Sequence, residues 1–99
     1  MKKIYLDNAA TTPIRQEVID EMVNVMQSEY GNPSSTHSVG RSAKAVVETA
    51  RKLIAKQLNC NAQEIIFTSS ATEATNWILR NAVSHFGVKR IITSKIEHH

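Results

Sequence analysis

The sequence predicts an α/β protein, and three observations lead there. Short β-prone runs at residues 4–6, 65–67 and 90–94 alternate with three stretches of helical periodicity. The later two runs are rich in consecutive isoleucines, the form taken by strands buried on both faces of a parallel sheet. Strand, helix and strand also follow one another within about 30 residues, the span of a βαβ unit, whose two strands are parallel.

Taken in order, residues 4–6 form a short strand, and the small polar stretch 7–12 stops at Pro13. Over residues 14–30, Ile14, Val18, Met22, Val25 and Met26 share one helical face, and Gly31 supplies the residue past the helix end. Gly31-Asn32-Pro33-Ser34-Ser35 is a loop, because Pro33 biases Asn32 away from the α region. A second helix covers residues 36–58. Val39, Ala43, Val46, Ala50, Leu53 and Ile54 lie on one face, and most of the charged residues, Arg41 and Lys44 among them, lie on the other. Asn59-Cys60-Asn61 ends it. A third helix covers residues 71–86, with either Ala74, Ile78, Ala82 and Phe86 or Trp77, Leu79 and Val83 inward and Gly87 at its end.

The 99 residues are 41% hydrophobic and 21% charged, the composition of one globular domain or less. A chain this short buries roughly 60–65% of its unfolded surface, enough for one modest core but not for an enclosed, many-walled active site. The net charge of +3 is scattered along the chain, which excludes a concentrated nucleic-acid footprint while remaining compatible with an anionic ligand. The single cysteine, Cys60, excludes an internal disulfide, and without a Cys/His cluster around it no structural zinc site is expected. Asp7 and Asn8 interrupt any apolar run after the basic start, so neither a signal peptide nor a membrane span is expected.

The turn between Phe67 and the third helix is where chemistry concentrates. Five consecutive small or hydroxyl residues, Thr68-Ser69-Ser70-Ala71-Thr72, sit between a strand and a helix start. The first turn of a helix offers unpaired N–H groups and the positive end of the dipole to a phosphate or carboxylate. Ser70-Ala71-Thr72-Glu73 equally fits the capping box, in which Ser70 and Glu73 satisfy those groups themselves. Both readings stay open on the local pattern. A βαβ unit brings the carboxyl ends of both strands to one sheet edge, so His98 shares a rim with this turn and can stack on a flat ligand ring there. The plainer reading makes His98 and His99 a polar chain end or the vestige of a purification tag. Residues 7–13 read as a connection, His37 as a helix-start residue with Ser35 or Thr36 as the cap, Cys60 as an inert thiol and Trp77 as core.

Four blocks of the sequence together resemble the opening of a cysteine desulfurase, a pyridoxal-phosphate-dependent enzyme of the class V aminotransferase group. They are Tyr5-Leu6-Asp7-Asn8-Ala9-Ala10-Thr11-Thr12-Pro13, Gly31-Asn32-Pro33-Ser34-Ser35 with His37 and Gly40, Phe67-Thr68-Ser69-Ser70-Ala71-Thr72-Glu73 with Asn76, and Ser94-Lys95-Ile96-Glu97-His98. Each alone is weakly specific; in the family's order and spacing over essentially the whole chain they are strong. The resemblance implies part of the large domain of a fold type I pyridoxal-phosphate transferase. Residues 1–13 are then an N-terminal segment packing with the small domain of a full-length enzyme, and residues 14–99 begin the large cofactor-binding domain without completing it. It further implies that Ala71 and Thr72 hold the cofactor phosphate and that His98 stacks on the pyridine ring.

The implied activity converts L-cysteine to L-alanine and passes the sulfur, as an enzyme persulfide, to acceptors such as an iron–sulfur scaffold or to tRNA thiolation. The implied enzyme is a homodimer; the lone cysteine and the lack of a signal or membrane-spanning run make a cytoplasmic location the expectation, with no direct contact with nucleic acid or membrane. Ser70 stands where the family usually has glycine. The Schiff-base lysine, the aspartate beside the pyridinium nitrogen and the nucleophilic cysteine come later in family members, and Cys60 is not at that cysteine's position. The chain alone is therefore expected to be inactive, with no catalytic residue and no metal of its own. A selenocysteine lyase or another class V enzyme shares much of this pattern. A non-enzymatic anion-binding α/β module is the reading from a different class, and it requires neither His98 nor the blocks at 7–13 and 31–37.

Overall fold

Helix periodicity in the sequence is matched by three α-helices in the computed structural model, which describes residues 3–97. They are α1 (Gln16–Ser28), α2 (Ser38–Leu58) and α3 (Ala71–Ser84), with a 3-10 turn at Ala62–Glu64. The chain divides into two units, Met1–Ala62 and Gln63–His99. Among the described residues no helix is long and apolar enough to cross a membrane.

In the first unit, α1 begins without a side-chain cap at Arg15, and Glu17 in its first turn complements the helix dipole. It ends at Ser28, where the Glu29 N–H donates to the Val25 carbonyl at 2.8 Å. Gly31 is not the left-handed residue past the helix end that the sequence suggests, since it has no positive φ. Its lack of a side chain serves a close approach instead: a Cβ there would lie 2.5 Å from the Val39 carbonyl oxygen. The loop that follows is held by its own polar groups, with Ser34 N–H donating to Asn32 Oδ1 and Ser35 N–H to the Asn32 carbonyl, each at 2.9 Å.

The cap of α2 is His37 itself, not Ser35 or Thr36: its Nδ1 accepts from the Gly40 N–H at 3.3 Å. An accepting Nδ1 places the ring proton of the neutral imidazole on Nε2. Gly40 is buried, and a Cβ on it would meet Ser35 Cβ and the Ser35 carbonyl oxygen, both at 2.6 Å. The loop 31–37 thus folds back on the start of α2 through two glycines. At the other end, Asn59 adopts the left-handed conformation, φ 54°, and Cys60 N–H donates to the Ala55 carbonyl at 3.0 Å, closing the helix as a Schellman motif. Lys56 in the last turn complements the dipole.

In the second unit, α3 runs two residues shorter than its apolar pattern. His85 and Phe86 N–H groups both donate to the Asn81 carbonyl, and Gly87 takes φ 63°. Trp77 is not core, being 48% exposed, and Ile78 and Phe86 are 69% and 81% exposed.

Two expectations are corrected here. Residues 4–6, 65–67 and 90–94 form no strand among the described residues, so the βαβ unit is not seen. β-Prone residues become a strand only through neighbours; two short strands are marginal in water, and a parallel pair needs covering on both faces. The modest core is also smaller than the chain length allows: among the described residues the buried apolar side chains are Ala43 and Ala55. Large apolar side chains on all three helices stay in water because nothing described here covers them.

Adding a methyl group at Gly40 forces backbone apart, whereas at Gly87 it meets open space and only a left-handed φ. Gly40→Ala is expected to cost about 2–3 kcal/mol and Gly87→Ala about 1 kcal/mol, read from urea midpoints of the helical circular dichroism signal. Equal or reversed costs would contradict the close approach of loop 31–37 to α2.

Candidate functional site

The start of α3 is built by a run of hydroxyl residues that satisfy one another. Ser70 is extended, φ −165° and ψ 163°, and its Oγ accepts from the Glu73 N–H at 3.1 Å. The Ser70 carbonyl accepts from the Ala74 N–H at 3.1 Å, the first bond of the helix, and from the Thr68 hydroxyl at 3.0 Å. Glu73 reaches back: its Oε2 accepts from both the N–H and the hydroxyl of Ser69, each at 2.7 Å. The usual capping box returns the carboxylate to the cap residue's own N–H, and here it is displaced one residue earlier, to Ser69.

This division leaves a defined set of donors. The N–H groups of Ala71 and Thr72, the first two of α3, have no acceptor among the described residues, and neither has the Thr72 hydroxyl. All three belong to one helical turn, at the positive end of the dipole. Two backbone donors and a hydroxyl suit the tetrahedral oxygens of a phosphate monoester, so the donor set fits such a group. The capping and the anion readings of residues 70–73 therefore draw on different N–H groups.

Beside the turn, an open apolar groove runs along α3, lined by Ala74, Trp77, Ile78 and Phe86 with Ile66 and Thr68 facing them. The other sequence candidates have other places. His98 lies outside the described residues. The Asp7 backbone carbonyl accepts from the N–H groups of Ala10 and Thr11 at 3.1 and 3.4 Å, which makes 7–11 a turn, and Tyr5 OH meets Thr11 Oγ1 at 2.6 Å. His37 is committed to its helix cap, and the half-buried Cys60 follows the left-handed Asn59. The Glu73–Ser69 bond is the feature that pattern reading misses: the capping-box pattern pairs Glu73 with Ser70, and nothing in it marks Ser69, which precedes the cap, as the carboxylate's partner.

The Ser69 hydroxyl first, and its N–H second, hold the Glu73 carboxyl below the ordinary glutamate value of 4.5. A carboxyl depressed on folding contributes stability that is present above 4.5 and lost as the pH falls through its folded value. In an NMR titration the Glu73 side-chain carbonyl carbon is therefore expected to have its midpoint below 4.5, and Ser69→Ala to move that midpoint upward. A midpoint at or above 4.5 would mean the Ser69 contact is not held in solution.

Comparison with known proteins bears on the same segment. The family model of aminotransferase class-V matches residues 4–99. A protein named cysteine desulfurase IscS from Dictyoglomus turgidum is 46% identical over 101 residues, covering 99% of this chain and 25% of its own length. A putative cysteine desulfurase IscS 1 from Bacillus subtilis is 46% identical over 101 residues, covering 100% of this chain and 27% of its own length. A selenocysteine lyase from Bos taurus is 44% identical over 85 residues, covering 86% and 20%. The chain spans about a quarter of the length of the curated relatives it matches. With a family match over nearly every residue and relatives of this identity, the chain belongs to the aminotransferase class-V family.

Proposed function

We propose that this chain is the phosphate-cradle segment of a pyridoxal-phosphate-dependent cysteine desulfurase. The observation that carries the reading is the division of donors at α3, where Ser70 and Glu73 complete the cap and leave the Ala71 and Thr72 N–H groups with the Thr72 hydroxyl. Ala71 and Thr72 then bind the cofactor phosphate, and His98 stacks on the pyridine ring. Bound, the cofactor supplies an electron sink for negative charge developing on the substrate. The residues of this chain fix its two ends, which sets the ring's orientation toward the substrate.

The large domain of such enzymes has a fold type I sheet. In that sheet residues 65–67 and 90–94 become parallel strands around α3, and the groove along Trp77 and Ile78 closes over apolar residues of neighbouring strands. Residues 1–13 pack with the small domain, and residues 14–99 begin the large one. The attachment lysine, the aspartate partner of the pyridinium nitrogen and the sulfur-carrying cysteine belong to the length of the relatives that this chain does not span. The complete enzyme acts as a cytoplasmic homodimer on L-cysteine, releasing L-alanine and delivering persulfide sulfur to an acceptor such as an iron–sulfur scaffold or to tRNA thiolation.

A second reading, a selenocysteine lyase, is favoured by the 44% identity to the Bos taurus protein. The phosphate cradle and ring contact serve either substrate, and discrimination falls to residues that handle the chalcogen.

An absorbance titration with pyridoxal phosphate, run on the longest polypeptide the gene encodes and on the 99-residue chain, tests the reading. The longer polypeptide is expected to bind the cofactor, retain it on one lysine after borohydride, and form alanine and sulfide from L-cysteine. The 99-residue chain is expected to form no alanine. Cofactor binding without alanine from cysteine, but with alanine from selenocysteine, selects the second reading. No cofactor binding by either polypeptide would reduce Ser70 and Glu73 to a helix cap.

A further inference from the structure

We propose that Glu73 is a positioning residue for the cofactor phosphate: by holding Ser69, its carboxylate keeps the first two N–H groups of α3 open to the ligand. The inference rests on the phosphate-cradle reading above. Its physical basis is competition. Ser and Thr hydroxyls compete with ligands for helix-start N–H groups, and a capping serine can accept from either the second or the third N–H of the helix. Thr68, Ser69 and Ser70 place three such oxygens ahead of the N–H groups of Ala71 and Thr72.

Each oxygen is disposed of in a way that spares those two groups. The Thr68 hydroxyl donates to the Ser70 carbonyl. Glu73 Oε2 takes both the hydroxyl and the N–H of Ser69 at 2.7 Å, which fixes Ser69 as a donor turned toward the carboxylate. With that turn fixed, Ser70 Oγ accepts from the third N–H, that of Glu73 at 3.1 Å, rather than from the second. Without the carboxylate, Ser69 and Ser70 can rotate and take up the N–H groups of Ala71 and Thr72.

An opposing effect exists, because a carboxylate in the first turn repels a phosphate dianion. Two hydrogen bonds from Ser69 and the exposed position of Glu73 spread and screen that charge. Geometry therefore outweighs charge, and the two effects predict opposite signs for removal of the side chain.

The test measures dissociation constants of pyridoxal phosphate and of pyridoxal, which lacks the phosphate, on the longest polypeptide the gene encodes. Glu73→Ala is expected to weaken pyridoxal phosphate about fivefold, the size of a lost cap, and to leave pyridoxal unchanged. Glu73→Gln keeps an accepting oxygen and is expected to match the wild type for both compounds. If Glu73→Ala does not fold, Glu73→Asp, one methylene short of Ser69, replaces it and must show the same phosphate-selective loss. Tighter pyridoxal phosphate binding by Glu73→Ala, equal weakening of both compounds, or failure of Gln to restore affinity would each overturn the proposal. Thr72→Val separates the two levels: if it weakens pyridoxal phosphate while Glu73→Ala does not, the positioning role alone falls. If wild type binds both compounds equally and Thr72→Val changes nothing, the cradle reading falls with it.

Discussion

Unsatisfied backbone groups at helix ends are the constraint on which the described structure rests. α1 and α3 have 13 and 14 residues, a length at which helices are marginal in water without tertiary packing. Neither contains a buried residue, and α2 buries only Gly40, Ala43 and Ala55. What holds the elements is therefore concentrated at their termini: His37 on Gly40, Ser70 on Glu73, Glu73 on Ser69, and the carbonyls of Ala55, Lys56 and Asn81 taken up by the residues that follow. A cap contributes about 1 kcal/mol, whereas burying one Leu, Ile or Phe contributes about 1.5–3 kcal/mol. Covering Trp77, Ile78 and Phe86 along α3 would thus add more than every cap of that helix combined. The caps set where helices begin and stop, and the apolar faces set what must be laid against them.

The same logic separates the two glycines of the first unit from the one in the second. Gly31 and Gly40 are required by contact: the loop between α1 and α2 reverses so tightly that carbonyls of Asn32, Ser35 and Val39 occupy the space of a Cβ. Ser42 donates to Glu29 at 2.9 Å beside this corner, so its polar rim is satisfied as well. Gly87 is required by torsion alone. A sequence block that reads as loop, Gly31 to Gly40, is in the structure one packed corner whose geometry comes from small residues on both sides.

How much of this was legible depends on the range of the interaction. The three helices are written in local periodicity, and the stop of α2 at Asn59 follows from a residue that tolerates left-handed backbone. The capping box at Ser70 and Glu73 is equally local. His37 as a cap is not legible from cap preferences, which favour Ser and Thr, because it depends on which imidazole nitrogen carries the proton. The strands at 65–67 and 90–94 are not local at all. Isoleucine runs encode a willingness to pair, and the pairing itself is supplied by neighbours in a sheet. Trp77 and Ile78 read as core for the same reason that they lie in an open groove: their spacing records a face to be covered, not what covers it.

The candidate site shows what a serine at position 70 adds to the start of a helix. Glycine at position 70 would leave all of the early N–H groups to the ligand or to water. Serine adds an acceptor, and an acceptor at a helix start is a rival to an anion unless its choice of N–H is constrained. In this structure the choice falls on Glu73, the third N–H, while the helix's own fourth, that of Ala74, goes to the Ser70 carbonyl. The donors nearest the helix end, where the dipole field is strongest, stay available. The added hydroxyl therefore stabilises the start of α3 through the Glu73 N–H alone, and leaves those of Ala71 and Thr72 without an acceptor among the described residues.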